Sequence, residues 1–266
     1  MDDSVLTDIR GDGVMVVTLN RPETLNSLGG DMGELLIEAV ERASSDDAVR
    51  ALIITGAGRG FCSGASAVAM VSRGEAPPTP SRHSRSDKAS GSVRLAQAMA
   101  ACDVPIIAAV NGAAAGAGCG IALCCDVRIF GESGRMGTIF IKRAVAADYG
   151  LSYWLPRVVG VAKAFELAYD GGLVDAKRAL ALGLANRVVP DAELMNEAIA
   201  YAATIAKGPP LAYTGIRRLL VASTTMPMQD FLPFEWAEQT KVLATADCAE
   251  GFRSFMERRD PVFRGE

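Results

Sequence analysis

Apolar positions along the chain follow two rhythms. Short uninterrupted runs, Ala51-Leu52-Ile53-Ile54-Thr55 and Pro105-Ile106-Ile107-Ala108-Ala109-Val110, read as strands, and a third strand is predicted over residues 126 to 130. Val14-Met15-Val16-Val17-Thr18-Leu19, β-branched and placed after the turn Gly11-Asp12-Gly13, makes residues 5 to 19 a hairpin. The other rhythm is helical. Asp31, with Glu34 three residues on, predicts a capping-box variant ahead of the stripe Leu35, Leu36, Ala39 and Val40.

Strands that alternate with helices predict an α/β fold with parallel crossovers. After about residue 190 the strand signals stop. Segments 191 to 207, 211 to 223, 228 to 246 and 248 to 258 carry helical periodicity, broken at Pro209-Pro210 and Pro227. The expected organisation is a core over 1–190 and a helical region over 191–266 that packs on its own core or on a neighbouring subunit. Residues 72–91 are polar and rich in Pro and Ser, which predicts a mobile surface loop, either a tolerated insertion or a lid.

Composition narrows the function classes. The chain has 266 residues, half of them hydrophobic, enough for one large domain or a domain with an appendage. A net charge of −4 argues against a nucleic-acid partner. Arg258, Arg259 and Arg264 form either a solvated face or a contact for a phosphorylated small molecule. The six cysteines show no CxxC spacing, and the sole histidine, His83, lies in a polar segment. No metal site and no Ser-His or Cys-His pair is therefore expected. No apolar run reaches the ~20 residues of a membrane span, and the start, Asp2-Asp3, lacks a signal pattern. A reduced, cytoplasmic compartment and no membrane partner are expected.

Two small-residue loops carry the candidate chemistry: Arg59-Gly60-Phe61-Cys62-Ser63-Gly64-Ala65-Ser66 and Asn111-Gly112-Ala113-Ala114-Ala115-Gly116-Ala117-Gly118. Each follows an apolar strand and leads into a helix. Two such junctions can aim two backbone N–H groups at one carbonyl oxygen, forming an oxyanion hole. Two tight turns that merely need small residues are the alternative.

With these loops, Leu19-Asn20-Arg21-Pro22-Glu23-Thr24-Leu25-Asn26-Ser27-Leu28, Asp126, Leu155-Pro156-Arg157-Val158-Val159-Gly160 and Ala246-Asp247-Cys248-Ala249-Glu250-Gly251-Phe252 resemble the enoyl-CoA hydratase/isomerase, or crotonase, family, in order and at family spacing. The resemblance implies a crotonase-like spiral of ββα turns with a C-terminal helical region that forms trimers or dimers of trimers. It also implies an acyl-CoA thioester as substrate, with no separate cofactor. The backbone N–H groups of Ala65 and Ala117 would be the oxyanion donors. Ala117 stands where the family more often has glycine, which leaves the donor intact provided φ stays negative. Asn26, Arg59, Ser63 and Gly64 would meet CoA, although Arg59 also reads as a surface charge. Ser66 stands where the family usually has aspartate.

The resemblance also shows a departure. The two glutamates that family hydratases use to activate water and protonate C2 fall at Gly120 and Phe140, neither of which transfers a proton. Asp148, eight residues after Phe140, resembles the aspartate of family isomerases, among them the dienoyl-CoA and ring-1,2-epoxyphenylacetyl-CoA isomerases. Enclosure among Phe140, Tyr149, Tyr153 and Trp154 would desolvate it and raise its pKa. Gly120, Phe140, Tyr149 and Trp154 are the expected acyl-pocket lining. The expectation is an acyl-CoA isomerase with Asp148 as acid and base. An atypical hydratase, an acyl-CoA-binding module without chemistry, and Asp148 as a helix N-cap are the alternatives.

Overall fold

A computed structural model describes residues 4–75 and 90–266. The strands are β1 Val5–Ile9, β2 Val14–Leu19, β3 Ala51–Gly56, β4 Gly60–Cys62, β5 Ile106–Val110, β6 Ala113–Ala115, β7 Val127–Gly131, β8 Arg135–Gly137, β9 Leu173–Asp175 and β10 Arg187–Val189. The helices are α1 Met32–Ser45, α2 Ala67–Glu75, α3 Gly91–Ala101, α4 Ala117–Cys124, α5 Leu151–Val159, α6 Val161–Asp170, α7 Ala176–Ala181, α8 Leu194–Ala206, α9 Pro210–Ser223, α10 Met228–Leu243 and α11 Ala246–Glu257.

The strands form a six-stranded sheet, β1-β2-β3-β5-β7-β10, and a four-stranded one, β4-β6-β8-β9. Three successive turns of the chain each give a long strand to the first sheet, a short strand to the second, and then helix. β3 and β4, β5 and β6, and β7 and β8 are those pairs. The hairpin has the expected limits, with Val5 opposite Leu19, while β2, β3, β5, β7 and β10 run parallel.

Alternate residues of β3 and β5 serve two cores, which is why their sequences are apolar at every position. Leu52, Ile54, Ile106 and Ala108 join the core beneath α1, α3, α4 and α5. Ala51, Ile53, Ile107 and Ala109 face Leu194, Ala198, Ala202 and Ala206 of α8. Small residues spaced four apart let α8 approach the sheet closely. The first helix of the C-terminal region thus closes the second face.

Three sequence expectations need correction. Asp31 does not cap α1 through its side chain; its carboxylate takes Ser4 Oγ at 3.0 Å and Arg21 at 3.1 Å, while Glu34 pairs with Arg94 at 2.8 Å. Strands do not stop before the two small-residue loops, because three-residue strands β4 and β6 lie inside them and pair in parallel. The segment 72–91 is in part helical, since residues 72–75 belong to α2 and Gly91 opens α3. The mobile-loop and lid readings of the remainder fall on residues 76–89, outside the described ones.

The C-terminal helices are tied back through Arg217 of α9. Its guanidinium lies 2.9 Å from Asp126 and donates to the carbonyls of Met99, Ala100 and Cys102, where α3 ends without enough partners of its own. Asp126 in turn accepts the N–H of Ile106 at 2.8 Å, so one ion pair links α9, α3 and the start of β5. Among the described residues, no helix is long and apolar enough to cross a membrane.

Candidate active site

The two loops meet backbone to backbone. A Cβ on Gly118 would fall 2.1 Å from the Cys62 carbonyl oxygen, and one on Gly64 would fall 2.8 Å from the Ala115 oxygen and 3.4 Å from the Ala117 nitrogen. Gly64 also has φ +96°, where a side chain is strained whatever the space. Small residues here are demanded by the close approach of the two loops.

Among the described residues, each loop leaves one N–H uncommitted. Ala65 forms a parallel bridge with Leu28, in which Leu28 donates to the Gly64 oxygen at 2.7 Å and accepts from Ser66 at 3.1 Å. Those bonds use the residues flanking Ala65, so its own N–H faces away from Leu28. Ala117 is the first residue of α4, and its N–H has no acceptor within the helix. Its φ is not positive, unlike that of Gly116 at +55°. The N-terminal end of the α4 dipole adds to whatever this N–H holds.

Beneath the loops sit two asparagines. Asn26 is wholly buried with φ +57°; its oxygen accepts from the Arg21 N–H at 2.8 Å, and its amide donates to the carbonyls of Ala57 and Gly60 at 2.9 and 2.7 Å. The side chain expected to meet CoA is thus committed to backbone, so it shapes the loop from below. Asn111 does the same from β5, donating to Gly56, Gly58 and Gly60 at 2.8, 2.9 and 3.2 Å. The sequence marks Asn111 only as part of its motif. Its signal is a polar residue directly after a fully buried strand. Arg59 is exposed on the first loop, and Ser63 donates to the Thr24 carbonyl at 2.9 Å.

Asp148 lies on a turn between the short 3₁₀ helix Phe140–Arg143 and α5. It does not cap α5 through its side chain, because the N-cap is Gly150 at φ +70° and no side chain bonds to the helix start. The capping alternative is therefore excluded. Much of the residue's area faces solvent, yet desolvation of the carboxyl raises its pKa, opposed only by its own N–H. No lysine or arginine among the described residues forms an ion pair with it. Desolvation, followed by the neighbouring charges of Asp148 and Cys62, pushes the half-buried Tyr149 phenol up to about 12.

Gly120 is buried in α4 beneath Tyr149, while Trp154 packs near Gly150 and Cys124. Tyr153, expected beside Asp148, has its hydroxyl 2.9 Å from Thr224 of α9 and its ring 3.6 Å from the Arg157 guanidinium. Phe140 borders an open apolar cleft of about 460 Å³, with Ile141, Val145, Leu151, Val161 and Phe165. Its ring tip would lie 3.9 Å from a Cβ on Gly116, just ahead of Ala117.

Comparisons with known proteins agree over nearly the whole chain. The model of one family, described as enoyl-CoA hydratase/isomerase, matches residues 10–266. The chain is 35% identical over 254 residues to 1,2-epoxyphenylacetyl-CoA isomerase of Escherichia coli K12, covering 96% of each. It is 34% identical over 253 residues to (E)-benzylidenesuccinyl-CoA hydratase of Thauera aromatica, covering 95% of this chain and 96% of that protein. The crystal structure of an enoyl-CoA hydratase from Bacillus anthracis superposes with a TM-score of 0.90 at 30% identity, covering 99% of this chain and all of the other.

Proposed function

The chain belongs to the enoyl-CoA hydratase/isomerase family and has the crotonase fold, and we propose that within it the protein is an acyl-CoA isomerase with Asp148 as its acid and base. One observation carries this reading. Partial burial raises the pKa of the Asp148 carboxyl, which forms no ion pair among the described residues, while the two positions at which family hydratases carry glutamate hold Gly120 and Phe140.

In the proposed reaction the thioester oxygen accepts the N–H groups of Ala65 and Ala117. Asp148 removes a proton from C2 of a 3-enoyl thioester, and the electron pair moves into a dienolate whose charge rests on that oxygen. The same carboxyl returns the proton at C4, and the double bond becomes conjugated. Proton balance closes within the site, so no cofactor is consumed. Hydration would need a second acid-base group or a held water, which makes isomerisation the better fit to one carboxylate. The similarity to 1,2-epoxyphenylacetyl-CoA isomerase supports an isomerase, although a hydratase is about equally similar.

CoA is assigned to the first loop, through the backbone of Ser63 and Gly64 and the exposed side chain of Arg59, with Asn26 shaping the loop from below. Exposed apolar residues on the C-terminal helices, Trp236 on α10 and Phe252, Phe255 and Met256 on α11, support assembly into a trimer or a dimer of trimers.

The test supplies 3-hexenoyl-CoA and crotonyl-CoA to the same preparation. The isomerase reading expects conjugated thioester absorbance to grow with the first and to persist with the second. Loss of crotonyl-CoA absorbance at an enzymatic rate supports the hydratase instead. Tight acyl-CoA binding without turnover of enoyl, dienoyl or epoxide substrates supports a binding module.

A further inference from the structure

Asp148 to Leu151 form a tight turn closed by a 3.0 Å hydrogen bond from the Leu151 N–H to the Asp148 carbonyl. Both central residues have positive φ, Tyr149 at +50° and Gly150 at +70°. That geometry is a type I′ turn, which favours Asn or Gly at its first central position. Tyrosine is a costly choice there, so surrounding packing must hold it.

The hold comes from α4. A Cβ on Gly120 would lie 2.7 Å from both the Cβ and the carbonyl oxygen of Tyr149, nearer than Cβ atoms come to other heavy atoms. Tyr149 therefore rests on the bare backbone of Gly120. The Cys124 thiol, one turn further along α4, donates to the same Tyr149 carbonyl at 3.6 Å. Gly120 in turn donates to Gly116 at 3.1 Å, within the helical turn that begins at Ala117. A continuous backbone path thus runs from the Ala117 N–H through Gly120 and Tyr149 to Asp148.

We propose that Tyr149 is a positioning residue whose backbone, seated left-handed on Gly120, sets the Asp148 carboxyl at a fixed place relative to the Ala117 N–H. Gly120 is then a requirement of this site, since the space a side chain would use is filled by Tyr149. The proposal rests on the reading of Asp148 as the acid and base. It goes beyond that reading by naming what places the carboxyl and why glycine stands at 120.

Two variants disturb the turn from different sides. Gly120→Ala pushes Tyr149 off its seat, and Gly150→Ala strains the second left-handed position, where a Cβ meets only ordinary contacts of 3.4 to 3.5 Å. Both are compared with wild type and Asp148→Asn by three measurements: kcat and KM for 3-hexenoyl-CoA, affinity for unreactive hexanoyl-CoA, and NMR titration of the Asp148 carboxyl. The expected result is a loss in kcat of up to about 10²-fold with hexanoyl-CoA affinity retained. The Asp148 titration should also move down toward the ordinary aspartate range as the loosened turn admits water, a readout that a merely structural role would leave in place. If Gly120→Ala does not fold, Gly150→Ala carries the test. An Asp148 titration identical in wild type and the folded variants overturns the proposal. A titration that moves while Asp148→Asn keeps full turnover leaves the positioning intact and removes the acid-base reading instead.

Discussion

Gly64 and Ala117 lie so close that a Cβ on the first would sit 3.4 Å from the nitrogen of the second. The contact joins the residue before one proposed oxyanion donor, Ala65, to the other donor, Ala117, and Gly64 makes it at φ +96°. Gly64→Ala forces the first loop away from the second, with the Ala115 oxygen only 2.8 Å from the new carbon. We expect kcat for 3-hexenoyl-CoA to fall by about 10²-fold, the size of effect seen when one oxyanion donor is lost. Steady-state kinetics check this, with circular dichroism confirming that the variant is folded.

The pH dependence follows from the raised pKa of Asp148. The base must be ionised to take the C2 proton, so kcat/KM falls as pH drops through a value above the ordinary 3.8 of aspartate. The folded protein holds this proton more tightly than the unfolded chain. Ionised Asp148 therefore lowers stability as pH rises through the same range. Asp148→Asn should remove that contribution, which denaturant titration at several pH values measures.

Arg217 offers a stability prediction independent of catalysis. Its side chain is only 6% exposed, and removing it strands Asp126 together with three carbonyls at the end of α3. Arg217→Ala should cost about 3 kcal/mol, the low end for a broken buried pair because Asp126 keeps 30% exposure. Urea unfolding reads the change, and Arg217→Lys should recover only part of it, since one ammonium cannot serve all those acceptors.

The thiols give a fourth outcome. Burial pushes Cys62, Cys119 and Cys124 up to about 12 and raises Cys102 and Cys125 as well, so none of the five is a ready thiolate. Cys248 is partly exposed. A disulfide reagent at pH 8 should modify one thiol quickly in the native protein and all six after unfolding.

What the sequence disclosed, and what it concealed, follows from the range of the interactions. Strands β3 and β5 and the hairpin were legible because their apolar patterns are local. The small-residue loops were legible as a pair, but β4 and β6 inside them were not, since a three-residue strand is specified by its partner. The Asp31 capping box failed because Arg21 and Ser4 compete for the same carboxylate. Asn26 showed its polarity without showing that three backbone groups would consume it. Gly120 was readable as a missing glutamate, yet the reason, Tyr149 resting on it, depends on a contact between residues 29 positions apart.

The central claim, that one carboxyl moves the proton, is tested most directly by Asp148→Asn with 3-hexenoyl-CoA, measured alongside hexanoyl-CoA binding by calorimetry. The account predicts that isomerisation falls by about 10²- to 10⁴-fold, the range for loss of an acid-base group, while hexanoyl-CoA binds as in wild type. Unchanged turnover in the folded variant would contradict it.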